Sequence, residues 1–298
     1  MRVLITGANG FLGYYLVQLL LQQGYEVVAT GRGSCRLPFT ARAAFTWAEM
    51  DITDPFAVHD VFAQHRPDAV VHAAAMSKPD ECELNQWQAY LINTEGSLHV
   101  LMNAAEQRCH FIYVSTDFVF DGERGMYREE DVRSPVNYYG RTKMEAEGAV
   151  MEYAHDWCIV RTVLVYGKPV LARENILSIT QKKLMQGEIW QVVDDQVRTP
   201  TYVGDLAAGI AAIIAKRAKG IYHLSGKDVY TPYQMAVAAA QHLQLNTSLI
   251  RRVTQDTFSQ PAKRPPRTGF VIDKAVRELG YRPVSFEEGL QKTFSAGE

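Results

Sequence analysis

Apolar runs alternate with helix-like segments along the first half of the chain. The opening "MRVLITGANGFLGYYLVQLLLQQGYEVVATGR" has an apolar run, a glycine-rich turn, an amphipathic segment that ends at Gly24 and a second apolar run. This order is typical of a βαβ unit. Further apolar runs occupy 68–75, 110–115 and 157–162. Strands that alternate with helices predict an α/β protein with a doubly wound, mostly parallel sheet that is covered on both faces.

The alternation becomes irregular after about residue 163. The pattern there predicts a helix in "ENILSITQKKLMQG", a strand in "EIWQVV", a helix in "VGDLAAGIAAIIAK" and a strand in "GIYHLSG". We therefore expect a large domain over residues 1–163 and a smaller C-terminal lobe over 164–298. A segment at about 199–225 is expected to return to the large domain.

Composition narrows the class of partner. The 298 residues are 47% hydrophobic and 21% charged, and their formal net charge of -2 gives no electrostatic reason to expect a nucleic acid or an anionic membrane. The apolar run at 206–215 has about half the length of a membrane span. The chain opens directly with a predicted strand, so we expect no signal peptide. Four scattered cysteines are typical of reduced thiols, so we expect a cytoplasmic protein.

The first turn predicts a dinucleotide site. "TGANGFLG" places three glycines between a strand and a helix, which allows a tight turn, a close approach of backbone to a pyrophosphate and close packing of the helix on the strand. The N-terminus of the helix supplies free N–H groups and a positive dipole. The candidate cofactor contacts in this turn are Gly7, Asn9, Gly10, Phe11, Leu12 and Gly13.

The end of the second strand bears on the choice of dinucleotide. NAD-binding proteins usually place an acid there, which accepts hydrogen bonds from the ribose hydroxyls. Here "VVATGRGSCR" has Gly31 and Arg32 and no acid, and an arginine can pair with a 2′-phosphate. NADP(H) is therefore favoured over NAD(H), although Arg32 and Arg36 could simply solvate a loop. Asp51, with Ile52 beside it, could accept from the adenine amino group, or Asp51 could cap the following helix.

Two adjacent tyrosines precede a lysine in "SPVNYYGRTKMEAE". If this segment forms a helix, residues four apart share a face, so Tyr139 lies over Lys143 and Tyr138 does not. A lysine ammonium about 4 Å away could lower a phenol pKa by about three units. Ser115 and Thr116 follow the strand "HFIYVS", at the edge of a parallel sheet where ligands bind. A hydroxyl there could polarise a carbonyl that Tyr139 protonates.

These motifs resemble those of extended short-chain dehydrogenases/reductases and, within that superfamily, are most similar to those of dTDP-4-dehydrorhamnose reductases. The resemblance rests on "TGANGFLG", "HAAAMSKPDECE", "STDFVFDG", "YYGRTKMEAE", "RTVLVYG", "DDQVRTPTYVGDLA" and "RPPRTGFVIDK", and spans residues 1 to about 280. It implies a Rossmann-like NADP(H)-binding domain and a smaller lobe that binds a nucleotide-diphosphate sugar. Members of the superfamily commonly form homodimers, which we expect here.

The resemblance also implies roles for matching positions. Thr116 falls on the triad hydroxyl, with Ser115 as its neighbouring alternative, Tyr139 on the acid/base and Lys143 on the partner of the cofactor ribose and the tyrosine. Three small residues fall where the backbone passes the cofactor, although tight core packing would also explain them. They are Ala73, Ala74 and Ala75.

Departures from the family bear on the reaction and the substrate. Dehydratases follow "STD" with a glutamate, and here Phe118 argues against elimination of water. Leu164 replaces a tryptophan near the substrate, which implies an altered pocket. Arg267 replaces an asparagine and could bind the diphosphate or remain a surface charge. Asn175 and Arg198 are further candidate contacts to the sugar or the phosphates.

The combined hypothesis is an NADPH-dependent reductase of a nucleotide-activated 4-keto-6-deoxysugar, with Tyr139 as proton donor. One alternative is a cofactor-binding regulatory protein, because the regulatory subunit of methionine adenosyltransferase resembles the same branch. Another alternative is a nucleotide-sugar epimerase. The eight histidines show no metal-binding spacing, so no metal site is predicted.

Overall fold

The computed structural model of the protein describes residues 1–171 and 173–295; Ala172 and the last three residues of the expected C-terminal lobe lie outside this range. The strands are β1 (Arg2–Thr6), β2 (Glu26–Gly31), β3 (Phe45–Glu49), β4 (Ala69–His72), β5 (His110–Thr116), β6 (Trp157–Thr162), β7 (Val165–Tyr166), β8 (Trp190–Val193), β9 (Thr201–Tyr202), β10 (Gly220–His223) and β11 (Ile250–Val253). The helices are α1 (Phe11–Gln22), α2 (Pro55–His65), α3 (Pro79–Leu84), α4 (Gln86–Tyr90), α5 (Gly96–Glu106), α6 (Tyr138–Met151), α7 (Ile176–Met185), α8 (Val203–Lys216), α9 (Pro232–His242), α10 (Asp273–Leu279) and α11 (Phe286–Phe294). A π-helical turn at Leu91–Glu95 joins α4 to α5.

Seven strands form one parallel sheet in the order β3, β2, β1, β4, β5, β6, β10. Successive side chains of β1 enter opposite cores, because a strand alternates its faces. Val3 and Ile5 pack with Leu16 of α1 and Ile210 of α8 on one face, whereas Leu4 packs on the other. The predicted doubly wound parallel α/β fold is confirmed.

The order in which successive strands are added reverses at β1: β2 and β3 lie on one side of it, and β4, β5 and β6 lie on the other. In such sheets a crevice opens at the carboxyl ends of the strands where the order reverses, and ligands bind there. The glycine-rich turn after β1 and the segment after β4 therefore meet at this edge.

The C-terminal half contributes to both parts of the molecule. β10 pairs with β6 at the edge of the main sheet, and α8 packs against α1. Helices α7, α9 and α11 bury a separate apolar cluster that includes Leu177, Met235 and Leu290. The boundaries of the two expected domains stay a prediction.

Two further findings concern the described residues. The cysteines Cys35, Cys82, Cys109 and Cys158 are free thiols, and all but Cys35 are buried. Within residues 1–171 and 173–295, no helix combines the length and the apolar character that crossing a bilayer requires.

Candidate active site

The glycine-rich turn has no room for a side chain at two of its glycines. Gly7 has φ +69°, and a Cβ there would lie 2.9 Å from the backbone nitrogen of Ala74. At Gly13 a Cβ would lie 2.5 Å from the carbonyl oxygen of Ala8, so α1 packs tightly against the turn. Gly10 is the N-cap of α1 and no side chain caps the helix within the described chain. Its first N–H groups are thus available to an anion, and the turn fits the phosphates of a dinucleotide.

A buried relay fixes the segment that follows β4. The Thr6 hydroxyl accepts hydrogen bonds from the N–H groups of Ala73 and Ala74, both at 3.1 Å, and contacts Nδ1 of His72 at 2.7 Å. Nε2 of His72 contacts the Ser97 hydroxyl at 2.9 Å. Burial lowers the pKa of His72 to about 3, so the ring is neutral. The relay holds the predicted cofactor-facing backbone against the turn after β1.

Asn93 completes this support, and sequence reasoning missed it. Its side chain accepts from the N–H of Met76 at 2.8 Å and donates to the Met76 carbonyl and the Thr142 hydroxyl, both at 3.0 Å. Asn93 is fully buried and lies in the π-helical turn, a feature that often marks functional sites. It ties the segment after β4 to α6. The sequence offered one sign of this role, the side-chain amide of Asn93 within the otherwise helical pattern "YLINTEGSLHV".

Asn9 shapes the loop after β2. Its side-chain oxygen accepts from the N–H of Arg36 at 3.0 Å, and its side-chain NH2 donates to the Ser34 carbonyl at 3.1 Å. The guanidinium of Arg36 donates to the main-chain carbonyl oxygen of Asn9 at 3.4 Å. Arg32 is exposed and its guanidinium has no hydrogen bond or ion pair with the described residues. One cation thus stays available beside the predicted position of the adenosine ribose.

Asp51 does not cap α2. Asp54 accepts from the N–H groups of Phe56 at 2.9 Å and Ala57 at 3.3 Å, so Asp54 is the cap and the capping interpretation of Asp51 was wrong. One carboxylate oxygen of Asp51 instead accepts from the N–H and hydroxyl of Thr53, at 2.9 and 2.8 Å. The neighbouring Ile52 is buried against α5.

Thr116, Tyr139 and Lys143 come together where β5 ends against α6, and all three are buried. Burial raises the pKa of Tyr139, and Thr116 lies near enough to this phenol to oppose the shift. The ring of Tyr139 packs edge-on against Phe118, 5.7 Å between centroids. Tyr138 is only partly buried, and its N–H donates to Glu83 at 2.9 Å. The structure thus brings Tyr139, and not its neighbour, to Thr116.

The electrostatics differ from the expectation. Burial raises the pKa of Tyr139 above its usual value, the Thr116 hydrogen bond lowers it and Asp117 raises it. The expected lowering of the Tyr139 pKa by Lys143 is not found. The ammonium of Lys143 lies 4.0 Å from the ring centroid of Tyr113. Burial lowers the pKa of Lys143 to about 7, and Glu147 opposes this effect. The site therefore holds a phenol that keeps its proton beside a lysine that readily loses one.

Ser115 has a structural partner. Its hydroxyl donates to Glu147 at 2.6 Å, and Arg161 binds the same carboxylate through two nitrogens at 2.9 and 2.8 Å. Arg133 also donates to the Glu147 carboxylate, at 3.1 Å. Glu147 and Arg161 are fully buried, so this network joins α6 to β5 and β6. Both hydroxyls at the end of β5 thus have partners within the fold, Ser115 in the buried Glu147 and Thr116 in the neighbouring Asp117, and the choice of Thr116 as the substrate hydroxyl stays a prediction.

Two predicted substrate contacts are also used within the fold. The Arg198 guanidinium is buried and donates to the carbonyl oxygens of Val197, Pro265 and Pro266 at 2.8, 2.8 and 3.1 Å. Asn175 caps α7, because its side-chain oxygen accepts a hydrogen bond from the N–H of Leu177 at 3.0 Å. Its side-chain NH2 donates to the Gly167 carbonyl at 2.8 Å. Both side chains hold the fold together through these bonds, and their contacts to a sugar or phosphate stay a prediction.

The segment 262–268 crosses from the C-terminal lobe to the catalytic region. Arg264 makes two hydrogen bonds to Asp80 of α3, at 2.5 and 2.6 Å. Asn137, the N-cap of α6, donates to the Lys263 carbonyl at 2.7 Å. Thr268 hydrogen-bonds to the buried Asp117 beside Thr116. The segment is thereby fastened to the start of the helix that carries Tyr139.

Arg267 and Leu164, two predicted substrate contacts, are both exposed. The N–H of Arg267 donates to the Gly122 carbonyl at 3.0 Å, while its guanidinium makes no ion pair or hydrogen bond with the residues that the structure describes. Leu164 follows β6 with φ 33° and is 36% exposed. Both side chains can contact a ligand without breaking an existing bond.

Comparison with known proteins agrees with this geometry. The sequence profile of the RmlD substrate binding domain matches residues 1–297. The chain belongs to this family. A dTDP-4-dehydrorhamnose reductase of Aggregatibacter actinomycetemcomitans is 30% identical over 303 residues, covering 97% of each chain. The RmlD family assignment confirms the predicted resemblance and the enzyme class, an oxidoreductase of the extended short-chain dehydrogenase/reductase type.

Two other relatives of this RmlD-family chain bear on its function. The crystal structure of dTDP-4-dehydrorhamnose reductase from Bacillus anthracis, in complex with NADP, matches with a TM-score of 0.86 and 30% identity over 98% of both chains. Methionine adenosyltransferase 2 subunit beta of Bos taurus is 34% identical over 270 residues, which are 89% of this chain and 78% of that protein.

Proposed function

We propose that this protein uses NADPH to reduce the 4-keto group of a nucleotide-activated 6-deoxysugar. The observation that carries the proposal is the pair of neighbouring hydroxyls of Thr116 and Tyr139, buried where β5 meets α6. Such a pair can polarise and protonate one carbonyl oxygen. Lys143 lies one helical turn from Tyr139 on the same face.

Each residue has a defined task in this proposal. A bound nicotinamide would supply the hydride to the keto carbon. Tyr139 keeps its proton until the carbonyl oxygen gains charge and then donates it, which suits a phenol whose pKa burial has raised. Thr116 donates to Asp117 at 3.0 Å and would turn this hydroxyl toward the substrate oxygen. Lys143 would bind the ribose hydroxyls of the cofactor and return a proton to Tyr139.

The choice of NADP(H) is supported by Arg32, whose exposed guanidinium can bind a 2′-phosphate in a bidentate manner. The Bacillus anthracis relative was crystallised with NADP. The choice of a reduction over an elimination of water is supported by Phe118, which packs on Tyr139 where a dehydratase would need a carboxylate. Arg267 would bind the diphosphate of the substrate, and Leu164 would contact the sugar.

The test is an assay of NADPH oxidation with a panel of nucleotide-linked 4-keto sugars. Turnover with at least one dTDP-linked 4-keto-6-deoxysugar, lost in Tyr139→Phe, is the expected result. Interconversion of sugars without net consumption of NADPH would indicate an epimerase and would contradict the proposal.

A regulatory role is the second candidate, favoured by the similarity to methionine adenosyltransferase 2 subunit beta. Its signature would be tight nucleotide binding, no turnover of any sugar in the panel and a change in the activity of a separate enzyme that binds this chain. The presence of Thr116, Tyr139 and Lys143 in one buried cluster argues for catalysis instead.

The proposal includes a homodimer in the cytoplasm. Large apolar side chains are exposed on helices of the large domain, with Leu84 70%, Trp87 68% and Met102 63% accessible. A dimer interface would bury such groups. Light scattering of the purified chain would give twice the monomer mass if this expectation is correct.

A further inference from the structure

A carboxylate reaches the end of β2 from the neighbouring strand. Glu49, the last residue of β3, lies beside Gly31 in the parallel register. One oxygen of its side chain accepts a hydrogen bond from the N–H of Gly33 at 3.1 Å. Glu49 therefore sits against the loop that follows β2. The sequence showed no acid after β2, because the acid comes from another strand.

The position matters because the end of β2 is where doubly wound folds receive the adenosine ribose. Gly31 has no side chain of its own to fill this space. A Cβ there would lie 3.1 Å from the Trp47 ring and 3.9 Å from the Asn9 amide. The space beside Gly31 is thus bordered by the Trp47 ring, the Asn9 amide and the loop that Glu49 holds.

The same loop also carries two cations, so charges of both signs lie at the end of β2. Arg32 is exposed, while the guanidinium of Arg36 donates to the main-chain carbonyl oxygen of Asn9 at 3.4 Å. A cation favours the 2′-phosphate of NADP, whereas a carboxylate accepts from the free 2′- and 3′-hydroxyls of NAD and repels the phosphate.

We propose that Glu49 determines specificity at the adenosine ribose, replacing the missing acid of β2, so that the site accepts NAD(H) as well as NADP(H). This inference rests on the proposed function only in placing a nicotinamide dinucleotide at this turn. Glu49 could otherwise serve solely to hold the Gly33 turn. A residue that only holds the turn would change the affinity for both nucleotides alike, whereas a ribose acceptor changes them in opposite directions.

The experiment measures dissociation constants of NADP⁺ and NAD⁺ by calorimetry on the full chain. Glu49→Gln should weaken NAD⁺ and strengthen NADP⁺, shifting their ratio by about tenfold, as expected for one charge-assisted hydrogen bond. Arg32→Ala should shift the ratio the other way. The matched control is Glu26→Gln, which removes an exposed carboxylate at the opposite end of β2, where it pairs with Arg2.

The outcomes separate the two proposals. An unchanged ratio in Glu49→Gln, equal losses for both nucleotides, or an equal shift in Glu26→Gln overturns the role of Glu49. Failure of the wild-type chain to bind either nucleotide overturns this inference together with the proposed function. The expected shift without turnover of any keto sugar supports the role of Glu49 while the proposed reductase function fails.

Discussion

The ammonium of Lys143 lies 4.0 Å from the ring centroid of Tyr113, and both side chains are buried. A cation over the face of an aromatic ring gains about 2 kcal/mol where water is excluded, which is less than the cost of burying an unpaired charge. The Tyr113 hydroxyl has no hydrogen-bond partner among the described residues. The lysine is consequently held in a place where carrying its charge is costly.

The first prediction concerns pH and stability. Burial lowers the pKa of Lys143 from 10.5 to about 7, so between these values the unfolded chain binds a proton that the folded chain has released. The free energy of unfolding should therefore rise with pH in this window, by at most about 1.4 kcal/mol per unit. Below about pH 7 both states are protonated and this contribution is constant. Lys143→Met removes it.

Urea denaturation of both proteins from pH 6 to 10 measures the effect. The stability of wild type minus that of Lys143→Met should increase with pH above 7. A difference that stays constant would show that the buried lysine keeps its ordinary pKa.

The second prediction separates the two tyrosines. Tyr139→Phe removes the buried hydroxyl beside Thr116 and should reduce turnover by at least about a thousandfold, while the Kd for NADP⁺ stays within a few-fold. Tyr138→Phe is the matched control and should retain turnover, because its hydroxyl lies outside this pair. Equal losses in the two variants would disprove the assignment.

The third prediction separates the two hydroxyls at the end of β5. Ser115→Ala removes a hydrogen bond to the buried Glu147 and should lower the free energy of unfolding by about 1.5–3 kcal/mol, with turnover nearly unchanged. Thr116→Val should reduce kcat by about 100-fold or more, because it removes a donor to the developing oxyanion. Thermal melts and steady-state kinetics on both variants check the two effects. A larger kinetic loss in Ser115→Ala would reverse the roles.

The fourth prediction concerns Asn137, which caps α6 and holds the segment 262–268. Asn137→Asp keeps the acceptor for the Gly140 N–H but loses the donor to the Lys263 carbonyl. A carboxylate oxygen would then face the Lys263 carbonyl, so the free energy of unfolding should fall by about 1 kcal/mol, and KM for the sugar nucleotide should rise several-fold because Arg267 is less well placed. Asn137→Ala loses the cap as well as the donor and should be destabilised by at least about 1 kcal/mol. An unchanged KM in both variants would show that the segment does not position substrate.

Much of the fold and the centre of the site followed from local sequence. The glycines of the first turn needed only the strand before them and the helix after them. The shared face of Tyr139 and Lys143 followed from helical spacing, which α6 has. These features depend on neighbours in the chain, where periodicity and turn chemistry act.

The features of the site that the sequence did not predict arise from contacts between segments that are distant in the chain. Arg198 is buried by the carbonyl groups of Pro265 and Pro266, and its charge gave no sign of these partners. The ammonium of Lys143 meets Tyr113 of β5, which helical spacing alone does not reveal. Glu49 reaches the loop after β2 only because β3 pairs beside it. Such relations are set by strand order and packing, which the pattern of a single segment does not contain.

The pairing of β10 with β6 has a consequence for biosynthesis. A nascent chain that has left the ribosome only as far as Thr162 exposes one edge of β6, and Leu16 of α1 lacks the cover of Ile210. Open strand edges and bare apolar helices promote aggregation. We therefore expect the N-terminal half to complete its folding only after synthesis has passed His223, and a gene cut after Thr162 to yield an insoluble fragment.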